Sequence, residues 1–147
     1  MSEENIQILG RAIEMVGEGI DPEAGVNQLY HPEVEVRDLH PPPDVPEFAR
    51  GRDEVIAILE KWTELFDDWS VEVIELIDLD PWVVADIRWR GTGKGSDADV
   101  EWRVADVFEM RDGMVYRAIH NFADREAALE AVRGGDATLK ALKASQD

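Results

Sequence analysis

The stretch Val100-Glu101-Trp102-Arg103-Val104-Ala105-Asp106-Val107-Phe108-Glu109-Met110-Arg111-Asp112-Gly113 alternates side chains in steps of two and then turns. A period of two is the strand period. It places Trp102, Val104, Asp106, Phe108 and Met110 on one face, and Glu101, Arg103, Ala105, Val107, Glu109 and Arg111 on the other. Asp112-Gly113 suits the left-handed backbone of a two-residue hairpin, so a partner strand is predicted over residues 114–122. Upstream, residues 71–79 and 82–90 read as strands separated by Asp80-Pro81, and the glycine-rich segment 91–97 joins them to the decisive stretch. In the second of these strands Val83, Ala85, Ile87 and Trp89 share the apolar face, while Val84, Asp86, Arg88 and Arg90 face away.

Towards the N-terminus the period changes to that of a helix. Ile6, Leu9, Ile13 and Val16 recur at three and four residues, which predicts a helix over 3–17. Asp21-Pro22-Glu23 is an N-cap followed by proline at the first helical position, and Val26, Leu29 and Tyr30 predict a short second helix that stops at His31-Pro32. Residues 34–38 alternate as a strand, and Pro41-Pro42-Pro43 with Pro46 holds the following loop extended. Val55, Ile58, Leu59, Trp62 and Phe66 form one stripe of a third helix over 53–66. A last helix begins near Asp124 with Ala128, Leu129 and Val132 inward and closes at Gly134-Gly135. Residues 1–135 thus read as one domain and 136–147 as a weakly amphipathic tail. Helices first and antiparallel strands afterwards predict an α+β fold with the helices on one face of a curved sheet.

The 147 residues include 15 Lys and Arg against 33 Asp and Glu, a net charge of −18. Such a charge repels polyanions, so nucleic acid and anionic membrane surfaces are excluded as partners. With 44% hydrophobic residues, the chain has the material for a real core and is not an acidic disordered tail. The longest apolar runs are too short for a membrane span, and Met1-Ser2-Glu3-Glu4 lacks the layout of a signal peptide. The sequence has no cysteine, which removes disulfides and thiolate chemistry and points to the cytoplasm.

Asp106 is the most informative residue. A carboxyl group in the middle of an aromatic and aliphatic row is desolvated, so it must find a partner or hold its proton. Two roles stay open for it, an ion-paired structural aspartate or an acid in a pocket. Trp89, Trp102 and Phe108 share its interior, with Trp62 and Phe66 from the third helix and Phe122 from the last strand as further candidate lining. Asp38 ends the first strand beside His40, either as a turn former or as a base at a cavity mouth. His120 lies on the face of Ala118 and Phe122, as a general acid or base or as a hydrogen-bonded core histidine. His31, His40 and His120 have no metal-ligand spacing, and the glycine-rich segment precedes a strand rather than a helix, so neither a metal nor a phosphate-bearing cofactor is predicted.

The element order resembles the SnoaL-like proteins of the nuclear-transport-factor-2-like superfamily, as do Val34-Glu35-Val36-Arg37-Asp38, Phe48-Ala49-Arg50-Gly51-Arg52, Arg90-Gly91-Thr92-Gly93-Lys94-Gly95, residues 103–113 and Asp124-Arg125-Glu126-Ala127-Ala128-Leu129-Glu130-Ala131. The resemblance implies a cone of helices and a curved mixed sheet around an apolar cavity, commonly in a homodimer paired through the sheet's outer face. It leaves the reaction open, because ketosteroid isomerases, polyketide cyclases, dehydratases, epoxide hydrolases and non-catalytic binders share the fold. By analogy with the isomerases, Asp38 resembles the general base and Asp106 the protonated acid of the oxyanion hole. Where those enzymes carry an oxyanion-hole tyrosine on the first helix, an ungapped count reaches Ala12.

Together these features predict an acid–base enzyme, without metal or cofactor, acting on a small hydrophobic carbonyl compound through Asp38, Asp106 and His120. The alternatives are a pocket protein that binds a hydrophobic metabolite unchanged, and a dimeric interaction module using the outer face with Ala105 and Val107. An epoxide hydrolase needs an arginine beside two carboxylates, and alternation turns Arg88 and Arg103 outward.

Overall fold

The computed structural model describes residues 2–17, 21–79, 81–93, 95 and 98–134. Two helices, α1 (Ser2–Gly17) and α2 (Pro22–Leu29), precede β1 (Tyr30–Asp38) and β2 (Phe48–Arg50). Helix α3 (Arg52–Leu65) leads into β3 (Phe66–Leu79), β4 (Trp82–Gly93), β5 (Asp99–Arg111), β6 (Met114–Phe122) and α4 (Arg125–Gly134). The strands form one curved, open, mixed sheet in the order β2-β1-β6-β5-β4-β3. All neighbours are antiparallel except β1 and β6, which run parallel and set Asp38 beside His120. The tail over 136–147 and the glycine pair's second member, Gly135, lie outside the described residues.

Local chemistry accounts for most boundaries. The Asp21 side chain accepts from Ala24 N at 3.1 Å and caps α2, with proline at its first position. Asp112 and Gly113 have φ of 55° and 72°, the left-handed pair a tight hairpin requires, and they close β5 onto β6. Helix α2 ends at Leu29, just ahead of His31-Pro32 as expected, and β1 starts at Tyr30 and runs through the proline. Pro32 lacks an N–H, and it falls where the β1–β6 register shifts between Tyr30 and Glu35, so no ladder bond is lost to it. Strand β3 starts at Phe66 rather than Val71, because residues 66–70 pair with the far end of β4. The short strand β2 was not expected; it pairs Ala49 with Val36 across the proline loop.

Alternation holds where the sheet is regular. Register pairs Val83 with Phe108, Ala85 with Asp106, Ile87 with Val104 and Trp89 with Trp102, all on the face covered by Leu9 and Ile13 of α1, Val26 of α2 and Val55 of α3. Val34, Val36 and Asp38 follow the same period along β1. The expectation that all helices cover one face needs correction. Ala128, Leu129 and Ala131 of α4 pack on the opposite face, against Val84, Ala105, Val107, Ile119 and Phe122. Those β residues are too apolar to be left in water, and α4 is the element that buries them. Arg103 also lies on that face, bonding Asp86 through Nε at 3.1 Å and Nη2 at 2.8 Å.

Candidate active site

Between α1, α3 and the concave face lies a cavity lined by aliphatic residues such as Leu9, Ile13, Ile58 and Ile87, by Phe108, and by Trp62, Trp69, Trp89 and Trp102. Trp69, Trp89 and Trp102 come from three adjacent strands, with ring centroids 5.3 Å and 6.1 Å apart in that order. Trp89 and Trp102 are stacked at 15° and Trp69 is tilted by 32° from Trp89, and the three indoles line the space together. The polar groups gather elsewhere, where Asp38, Asp106, His120 and Asn121 meet.

A bulge builds this corner. Ile119 pairs with Val107 and Phe122 with Ala105, so His120 and Asn121 together oppose the single residue Asp106. The extra residue puts Asn121 at φ 73°, a left-handed conformation that asparagine tolerates better than most side chains. Its backbone N–H then donates to Asp106 Oδ1 at 2.8 Å, and its side-chain Nδ2 donates to Asp38 Oδ1 at 2.6 Å. His40 N donates to the same Asp38 oxygen at 2.9 Å, so Asp38 is a turn former and a cavity group at once.

Asp106 is 3% exposed, and both of its oxygens are engaged, since Oδ2 lies 2.8 Å from His120 Nδ1. A carboxylate on Nδ1 selects the tautomer or charge state with a proton on that nitrogen, leaving Nε2 as the ring's other working atom. Among the described residues no group bonds Nε2. Phe108 meets the imidazole edge-on, with centroids 5.6 Å apart, and fixes its plane. Burial works against the imidazolium, but the charge and hydrogen bond of Asp106, with the charge of Asp38 added, outweigh it and raise the His120 pKa above its ordinary value. Tyr30, also in the wall, has its phenol pushed up to about 12 by burial and then by the charge of Asp106.

The structure therefore brings Asp38, Asp106 and His120 together, and sets Trp62, Trp89, Trp102 and Phe108 around the same cavity. Phe122 is a correction: the bulge at Asn121 reverses the alternation after His120 and sends Phe122 into the cluster under α4. The Phe66 side chain lies outside the described residues. Sequence reading missed several lining residues, Trp69, Tyr30 and Asn121 among them. Trp69 shares the period of Val71 and Val73 once β3 is extended backwards, Tyr30 belongs to β1 rather than α2, and Asn121 is betrayed only by its tolerance of positive φ. Among the described residues no cluster of three His, Asp or Glu side chains is arranged to hold a metal ion, and no helix is long and apolar enough to cross a membrane.

A helix-covered, open mixed sheet with a tryptophan-walled cavity and one acid–base corner defines the class of cone-shaped ketosteroid isomerase-like folds. The family model of the SnoaL-like domain matches residues 11–118. The chain belongs to the SnoaL-like family. Among solved structures it is similar to a protein from Jannaschia sp. CCS1 assigned provisionally as a SnoaL-like polyketide cyclase, at 19% identity and a TM-score of 0.67, with 89% of this chain and 92% of that one covered. It is also similar to Bal32a from a soil-derived mobile gene cassette, at 16% identity, a TM-score of 0.72 and coverage of 86% and 95%. A third is a Catenulispora acidiphila DSM 44928 protein with a ketosteroid isomerase-like fold in complex with trimethylamine, at 12% identity, a TM-score of 0.67 and coverage of 83% and 88%. At these identities the likeness is one of fold. No curated protein sequence matches the chain.

Proposed function

We propose that the protein is a general acid–base enzyme that moves a proton next to the carbonyl of a small, largely apolar molecule. Asp38 is the base. Its Oδ1 is held by Asn121 and His40, while Oδ2 bonds no described residue and is left for a substrate C–H. As the C–H bond breaks, the proton passes to Asp38 and the electron pair moves onto the carbonyl oxygen. His120, as the imidazolium that the Asp106 counter-charge favours, keeps one proton on Nδ1 toward Asp106 and donates the other from Nε2 to that oxygen. The hydrogen bond to the oxyanion passes from Asp106 to His120 in this reading, because both Asp106 oxygens are engaged within the protein. Return of the proton to another carbon gives an isomer, and attack by the enolate carbon on a second carbonyl gives a ring whose new alkoxide takes the proton back from Asp38. The three side chains supply base, acid and counter-charge, so either outcome is chemically complete with them.

The observation that carries this reading is the double donation by Asn121, which ties the base and the histidine–aspartate pair into one corner of an apolar cavity. Exchange of the α-protons of 2-tetralone in D2O, followed by NMR, tests it. Wild-type protein is expected to accelerate exchange, Asp38→Asn to abolish the acceleration, and His120→Gln to reduce it by about a hundredfold, as loss of an oxyanion donor does. Exchange at the buffer rate across a panel of ketones contradicts it. The tryptophan wall favours a second reading, a binder that holds an apolar ligand unchanged, and recovery of such a ligand unaltered after long incubation supports that reading. A homodimer accompanies either proposal and is checked by light scattering, but Ala105 and Val107, expected on an open interaction face, are buried under α4 and are not available to its seam.

A further inference from the structure

We infer that the substrate carries a positive charge of its own, as an N-alkylated ammonium group on the carbonyl compound; this deepens the acid–base reading above and rests on it. Among the described residues that line the cavity none is lysine or arginine, while Asp38 and Asp106 bring two carboxylates and Glu47 a third. Glu47 is 58% exposed at the rim, and its Oε1 lies 2.9 Å from Nη2 of Arg37, a residue outside the lining. The imidazolium of His120 offsets one of the two inner carboxylates, so the acid–base corner holds one excess negative charge. Proton transfer does not remove that excess. As the C–H proton passes to Asp38, negative charge leaves Asp38 and appears on the substrate oxygen, and the total is unchanged. Uncompensated charge is costly in an apolar cavity, and a cation built into the substrate compensates it before and during the step.

Two residents of the cavity feel the sign of the field. Burial works against the His120 imidazolium, yet the charges of Asp106 and Asp38 carry its pKa above the ordinary value. The Tyr30 phenol is pushed up to about 12 by burial and then by the charge of Asp106. The walls supply the rest of the recognition. Four of the five tryptophans line the cavity, and the fifth, Trp82, packs against the cluster under α4. Indole attracts cations more strongly than any other side-chain ring. A primary ammonium brings three N–H donors that need acceptors, and aliphatic and indole walls offer none. An N-alkylated ammonium needs few acceptors or none, and it presents methyl and methylene groups to the same walls. The net charge of −18 draws such a cation towards the protein from a distance.

Two pairs of molecules, each differing only by a cationic nitrogen in place of a neutral carbon, test this. Benzyltrimethylammonium and neopentylbenzene have no carbonyl, so their binding, followed by quenching of tryptophan fluorescence, reads charge selection without chemistry. Wild-type protein is expected to bind the cation at least as tightly as its isostere, although water holds the cation far better; tighter binding of the isostere overturns the inference. Asp38→Asn removes the excess charge and is expected to lower the affinity ratio of cation to isostere about tenfold, as loss of a poorly screened charge does. Glu47→Gln, at the exposed rim, is expected to lower it about threefold and provides a variant outside the acid–base corner. A ratio that neither variant moves also overturns the inference. The second pair, 1,1-dimethyl-4-oxopiperidinium and 4,4-dimethylcyclohexanone, are ketones whose α-proton exchange in D2O reads the chemistry. Wild-type protein is expected to accelerate exchange of the cationic ketone over its buffer rate at least about tenfold more than that of the neutral one. Equal acceleration of both overturns the cationic substrate while leaving Asp38 and His120 in their roles. Acceleration of neither, with the cation still preferred in the first pair, overturns the acid–base reading and leaves the charge selection standing.

Discussion

The side-chain amide of Asn121 donates to Asp38 at 2.6 Å, joining the end of β6 to the end of β1 across 83 residues of sequence. The contact exists because a bulge turns Asn121 inward beside His120 instead of letting it alternate outward. Two substitutions separate its duties. Asn121→Gly keeps the backbone N–H to Asp106 and accepts φ 73° without strain, so only the bond to Asp38 is lost. Asn121→Ala loses the same bond and adds left-handed strain, and is expected to be about 1 kcal/mol less stable than the glycine variant in urea denaturation. Both are expected to slow ketone exchange; equal stability of the two would mean the backbone does not hold this conformation.

The raised pKa of His120 predicts how stability follows pH. A group whose folded pKa lies above its unfolded value contributes stability that is fully present below about pH 6.5 and lost as pH rises through the folded value. Thermal unfolding between pH 6 and pH 9 is expected to show this decline against the background of other titrations. Asp106→Asn removes the counter-charge, so the difference between variant and wild type is expected to be largest at the acid end and to shrink as pH rises. A difference independent of pH would remove the histidine–aspartate pair from the stability account.

Trp102 and Phe122 are both aromatic, and the sheet separates them. Phe122 is 6% exposed within the cluster under α4, so Phe122→Ala is expected to cost about 3–5 kcal/mol in chemical denaturation while leaving the affinity for an apolar probe unchanged. Trp102 lines the cavity and is half-buried. Trp102→Ala is expected to cost less than that range in stability and to weaken binding of 2-naphthol instead. The reverse pattern, measured by tryptophan fluorescence and urea titration, would place the ligand on the wrong side of the sheet.

How far these features were legible depends on which physics sets each one. The period of two along β5 is local, so it announced the inward row of Trp102, Val104, Asp106 and Phe108, and Asp112-Gly113 announced the hairpin. Asp38 and His120 were found because they follow regular strands to their ends. What failed depends on one extra residue or on distant packing. The bulge at His120 and Asn121 is written into no pattern of hydrophobicity, and it reversed Phe122. The stripe Ala128, Leu129 and Ala131 says that α4 buries a face, but only the tertiary arrangement says which face of the sheet it meets. Trp69 and Tyr30 were lost to strand ends that extend further than local propensity suggests.

The central claim is that Asp106 holds His120 as a poised proton donor beside Asp38. The most direct measurement is a nitrogen-detected NMR titration of the His120 imidazole in wild-type protein and in Asp106→Asn. The account predicts a proton on Nδ1 at neutral pH, a wild-type midpoint above that of an ordinary histidine, and a lower midpoint in the variant. An ordinary or depressed midpoint that Asp106→Asn leaves unmoved would contradict it.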